Sequence, residues 1–157
     1  MVIHGAPLKL EGITPHGIID LELARTPARA LQIYRAWSGG LIGTAIKNTC
    51  IDFFFLLSYG CLLYCLCVTT ARWYSGPWRT AGKWISIAMI VAAFFDAIEN
   101  ILMIKSLNGS MGKELIASTF MFAAVKFLLV AIGILYIIAS LVGRLFKSKA
   151  VRVQEFS

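Results

Sequence analysis

Residues Leu115–Val142, LIASTFMFAAVKFLLVAIGILYIIASLV, carry a single charge, Lys126, in an otherwise apolar run. A helix rising 1.5 Å per residue needs ~20 residues to cross ~30 Å of hydrocarbon, and this run exceeds that length. Two further stretches match it. Residues 46–70 are broken by Lys47, Asn48 and Asp52 near their start, and residues 84–107 by Asp96, Glu99 and Asn100. Long flanking runs of Leu, Ile, Phe and Val outweigh these polar positions on a transfer scale. Only a helix satisfies every backbone group in lipid within one segment, so three transmembrane helices are expected.

Composition agrees. The 157 residues are 59% hydrophobic and 15% charged, with a mean hydropathy of +0.77. Soluble domains carry about 25% charged residues. The net charge of +7 reads as juxtamembrane Lys and Arg facing anionic lipid. No basic run is interleaved with aromatics, so nucleic acid is not an expected partner. Membrane lipids are, and three spans enclose so little interior that a homo-oligomer or a larger membrane complex is expected.

The connections are punctuated. Ser75-Gly76-Pro77 reads as a helix stop inside residues 71–83, with Trp73, Tyr74, Trp78 and Trp84 as interfacial anchors. Asn108-Gly109-Ser110 reads as a tight turn. Residues 144–157 form a basic tail. No apolar h-region precedes the first span, so insertion is expected to depend on that span.

Residues 1–40 form an N-terminal segment. Thr26-Pro27 is a helix-start signal, with Thr as N-cap and Pro at the first helical position. It predicts a helix over about 27–37 that stops at Ser38-Gly39-Gly40. Leu31, Tyr34 and Trp37 fall near one face, as in an amphipathic interfacial helix or one packed across the ends of the spans. Ile19-Asp20-Leu21-Glu22-Leu23 alternates apolar and acidic, the pattern of an extended or interfacial stretch. The expected architecture is thus an all-α membrane protein of three spans (residues 41–143) preceded by a short interfacial helix.

The charges inside the spans carry the functional argument. One charged group at mid-bilayer costs ~2.5–3.5 kcal/mol on insertion scales. Asp52, Asp96, Glu99 and Lys126 are therefore expected to face each other, a cavity or a partner. Asp96, Glu99 and Asn100 stand at i, i+3 and i+4 on one helix face. Asn48, Asp52 and Tyr59 share a face of the first span, and Thr119 aligns with Lys126 on the third. Counted from the shared membrane side, Asp52 is roughly 8 Å deep, Glu99 roughly 9 Å, Asp96 roughly 13 Å and Lys126 roughly 16 Å. All four fall in the half of the membrane beneath the N-terminal segment. Three carboxylates against one lysine leave an excess of negative charge, which a proton or a bound cation reduces.

The candidate ligand- or ion-binding residues are thus Asp52, Asp96, Glu99, Asn100 and Lys126, supported by Asn48, Tyr59 and Thr119. Hard oxygen ligands at Asp52, Asp96 and Glu99 would also suit Mg²⁺, Ca²⁺ or Mn²⁺. His4 and His16 read as loop histidines. Cys50, Cys61, Cys65 and Cys67 read as small packing or lipid-facing residues. No signature of a cofactor is present. A lipid-acting membrane enzyme using one carboxyl as acid or base is the rival reading. A structural subunit whose charges pin the helices together is another.

These positions resemble an uncharacterised family of small bacterial integral membrane proteins. The likeness runs through Gly17–Ala24, Thr26–Trp37, Asp52-Phe53 with Phe55 and Tyr59, the D-x-x-E-N element Asp96–Asn100, and Lys126-Phe127 with Leu135-Tyr136. It implies a bacterial inner-membrane location and no activity. The C-terminus is expected in the cytoplasm. Arg72, Arg79, Lys83, Arg144, Lys147, Lys149 and Arg152 lie on its side, against Arg29, Arg35, Lys47, Lys105 and Lys113 on the other.

Overall fold

The computed structural model describes residues 6–154, with side chains to residue 146. Its described residues are mainly helical, without a strand. A 3₁₀ turn, Ala6–Leu8, precedes α1 (Ile18–Glu22), α2 (Pro27–Trp37), α3 (Ile42–Ala71), α4 (Gly76–Leu107) and α5 (Lys113–Gln154). The last three are long and apolar enough to cross a bilayer, as expected of an integral membrane protein.

Each long helix buries a seam and exposes its greasy positions, the pattern of a bundle surrounded by lipid. On α5 the buried residues are Ile116, Thr119, Ala123, Lys126, Gly133, Tyr136, Ile137 and Ser140. Their three- and four-residue steps trace one stripe of a helix. Phe54, Leu57, Phe94, Met121, Leu128, Leu135 and Phe146 point outward and are largely exposed. The seams therefore hold the polar residues, because lipid takes the apolar ones.

The chain divides into two compact units. One runs up to Leu57 and resumes over Ala93–Lys126; the other comprises Ser58–Ala92 and the chain from Phe127 on. In the first, the N-terminal segment packs on the spans. Leu8, Ile18, Leu21, Ala24, Ala30, Ile33 and Trp37 share a core with Ala45, Met103, Leu107 and Ile116. Thr26 caps α2, its Oγ1 accepting the Arg29 N–H at 3.3 Å, and Pro27 occupies the first turn. The buried face of α2 is Ala30, Ile33 and Trp37, while Leu31 and Tyr34 are half-buried. The helix is thus a packed one, across α3, α4 and α5.

Two expectations need correction. Residues 18–22 are helical, not extended. Ile18, Leu21 and Glu22 sit at i, i+3 and i+4, so a helix buries all three on one face where a strand would split Leu21 from Glu22. The connection after the first span is also short. Helix α4 starts at Gly76, because Pro77 has no N–H to lose in a first turn. Ser75-Gly76-Pro77 is a helix start as much as a stop.

In the second unit Cys67, Ala71, Met89, Tyr136 and Ile137 form the core. Tyr74 Oη donates to the Ser140 carbonyl at 2.5 Å and Trp78 Nε1 donates to Ser140 Oγ at 3.0 Å. Trp78 also stacks on Tyr136. Tyr74 and Trp78 thus hold helices together, although Trp78 is as exposed as Trp73, at 42% against 38%, and Trp84 more so at 69%; Arg144 lies over the Trp73 ring. Cys50, Cys61 and Cys65 are exposed and Cys67 is buried, all as free thiols. His4 lies outside the described residues.

A candidate binding site of buried acids around one lysine

The three spans bring their charged side chains together within the first unit. Lys126 Nζ donates to Asp96 Oδ1 at 2.6 Å and lies 2.5 Å from Glu99 Oε2. Asn100 Nδ2 donates to Asp52 Oδ2 at 2.9 Å, joining α4 to α3. Asp96, Glu99 and Asn100 project from one face of α4 at i, i+3 and i+4. Every one of these side chains belongs to a residue at most 7% exposed.

Glu22 joins them from outside the spans. Its Oε2 lies 3.7 Å from Lys126 Nζ. The alternation of residues 19–23 hid it. The usable signal was the helical spacing of Ile18, Leu21 and Glu22, which makes Glu22 an acid on an apolar face. Asp20 sits on another face of α1, accepting the His16 backbone N–H at 2.7 Å, while the His16 side chain is 73% exposed.

The charge count is therefore steeper than the spans alone suggested. Four acids (Glu22, Asp52, Asp96 and Glu99), half of the chain's eight, surround one lysine. Burial raises the Glu22 carboxyl above its ordinary value; the Lys126 ammonium opposes this, and the charges of Asp52 and Asp96 reinforce it.

Donors are short as well. Among the described residues, Glu99 Oε1 and Asn100 Oδ1 have no hydrogen-bond donor, and both residues are fully buried. Glu99 Oε2 meets the Lys126 ammonium as an ion pair. The Trp37 Nε1 donor also lacks a partner, but it belongs to the apolar core beneath α2.

The supporting residues divide. Asn48 is buried one turn before Asp52 on α3. Thr119 is buried with its hydroxyl donating to the Leu115 carbonyl at 2.9 Å, so it is satisfied on its own helix. Tyr59 belongs to the second unit. Among the described residues no three His, Cys, Asp or Glu side chains form a group able to hold a metal ion. Asp52, Asp96 and Glu99 share a neighbourhood without converging on one point. Comparison with known protein families, curated proteins and solved structures finds no match.

Proposed function

We propose that this chain is a small binding protein of the bacterial inner membrane, whose buried acids take up a cationic species: a proton, an ion or the ammonium of a lipid headgroup. One observation carries the reading: four buried acids cluster around a single lysine, three of them in ion pairs with it, and among the described residues two fully buried oxygens of the cluster lack donors. A packed interior does not hold three uncompensated negative charges, so at least part of that charge is neutralised by an added proton or cation. Three spans enclose little interior, which fits an accessory subunit of a larger membrane complex. With the C-terminus in the cytoplasm, the N-terminal segment and the acids beneath it belong to the outer half of the membrane.

A structural role draws on the same contacts, since the Lys126–Asp96 and Asn100–Asp52 bonds tie α5 to α4 and α4 to α3. The two readings separate on protonation and occupancy. Carbon NMR of the Asp and Glu carboxyl groups in the purified protein, followed against pH, reports which acids hold protons. Native mass spectrometry reports retained ions or lipid. Binding predicts a protonated buried carboxyl at neutral pH or a retained cation. Four ionised acids without an adduct would leave only the structural role.

A further inference from the structure

We propose that the species exchanged at this cluster is a proton, and that Glu22 is the residue through which it enters and leaves. The inference rests on the binding function proposed above and names both its ligand and its route.

The donor set points to a proton. The acids do not form a metal-holding group among the described residues. The atoms left without partners, Glu99 Oε1 and Asn100 Oδ1, are both acceptors on fully buried residues. Each lies on a group already engaged in the cluster: Glu99 through Oε2 on Lys126, Asn100 through Nδ2 on Asp52. A proton needs no chamber, and on a carboxyl it turns an acceptor into a donor while removing a negative charge. That single change addresses both the excess charge and the missing donor.

Position assigns the route. Asp52, Asp96, Glu99 and Lys126 belong to membrane-spanning helices. Glu22 belongs to α1, a five-residue helix of the N-terminal segment. The charged groups facing Glu22 are Lys126 from α5, Asp96 and Glu99 from α4 and Asp52 from α3. Lys126 Nζ lies 3.7 Å from Glu22 Oε2 and 2.5 Å from Glu99 Oε2. Its contact with Glu22 is longer than those with Asp96 and Glu99 and is the one that must close for transfer.

The transfer balances. The Lys126 ammonium breaks one N–H bond as an O–H bond forms on Glu99. The O–H bond of protonated Glu22 breaks as a new N–H bond forms on Lys126. Lysine is an ammonium before and after, the proton has moved from Glu22 to Glu99, and Glu22 is reprotonated by hydronium from water.

The test is a pH jump on the full-length protein in lipid nanodiscs, following the infrared carbonyl band of protonated carboxyl groups. In the native protein the buried band should rise after acidification. Glu22→Gln should slow that rise by about a hundredfold, the scale of losing a positioned acid–base group, without abolishing its final extent. Glu22→Asp, which keeps a titratable carboxyl, should restore most of the rate. Equal rates in Glu22→Gln and the native protein would overturn the route. So would a slow Glu22→Asp, because shape and not titration would then be the cause. A band that answers to added sodium or magnesium at constant pH would overturn the proton as ligand. No buried protonated carboxyl at any pH, with a retained lipid or ion, would overturn the proton alone; neither protonation nor adduct would overturn the binding function itself.

Discussion

Glu22 Oε2 lies 3.7 Å from Lys126 Nζ, so a residue of the N-terminal segment shares the lysine buried in the third span. The same ammonium is held by Asp96 and Glu99 from the second span. The segment is seated by apolar packing of Leu21, Ala24, Ile33 and Trp37 and tied electrostatically to the third span by Glu22 on Lys126 and by Arg25 over the Phe120 ring. Docking of the segment and the charge state of the cluster are therefore linked.

Lys126→Met should destabilise the protein by about 3–5 kcal/mol, since it leaves three facing acids without their buried cation. Adding Glu99→Gln and Asp96→Asn to Lys126→Met should recover a large part of that loss, because two of the three facing acids are then neutral and only Glu22 keeps a carboxyl beside the vacated position. Thermal unfolding in detergent, compared across the native protein, the single variant and the triple variant, measures both effects. A triple variant no more stable than the single one would mean that packing of the lysine stem, and not charge, sets the cost.

Asn100→Ala should cost about 1–3 kcal/mol by leaving the Asp52 carboxyl without its amide donor. Asp52→Asn should cost less, since the Asn100 amide can still donate to an amide oxygen. A double-mutant cycle on the pair isolates the coupling across the 2.9 Å bond between α3 and α4. Strictly additive effects would show that the two side chains do not support one another.

Much of this was legible in the residues. Three long apolar runs dictate three helices because lipid offers the backbone no other partner. The spacing of Asp96, Glu99 and Asn100 puts them on one face of any helix they occupy. The partnering of Lys126 with that face follows from the cost of leaving a charge in hydrocarbon. Glu22 was not legible in the same way. Five residues satisfy both a two-residue and a helical period, and tertiary packing of Ile18 and Leu21 decides between them. Pro77 was ambiguous for a related reason: a proline ends one helix and opens another with equal ease, and only the short 72–75 connection shows which role dominates.

The N-terminal segment should loosen as pH rises. The Glu22 carboxyl is held above its ordinary value of 4.5, by burial first, with Lys126 opposing. Between that value and the raised one, the folded state binds more protons than the unfolded state. The slope of stability against pH is then negative. The contribution is complete below the unfolded pKa and is lost as pH climbs through the folded one. Protection factors of the α1 and α2 amides, with the intrinsic pH dependence of exchange divided out, should fall over that window in the native protein. Glu22→Gln removes the titrating group and should flatten the dependence. Native protection factors that rise with pH would reverse the sign and refute the account.

Gly82 sits at a crowded position in the second unit, and replacing it should be costly. A Cβ there would stand 2.7 Å from Ala71 Cβ and against the hydroxyl end of Tyr136. Tyr136 has little freedom to retreat, since it stacks on Trp78 and donates to the Trp78 carbonyl at 3.2 Å. Small residues at such crossings let membrane helices meet closely. Gly82→Ala should therefore destabilise by about 1–3 kcal/mol through overpacking. Gly43, at the start of α3, is the control, because a Cβ there meets nothing within 4 Å. Gly43→Ala should be neutral or stabilising by up to about 1 kcal/mol, the helical preference of alanine over glycine. Thermal melts of the two alanine variants in the same detergent decide the matter. Equal melting temperatures would show that the packing at Gly82 relaxes without cost.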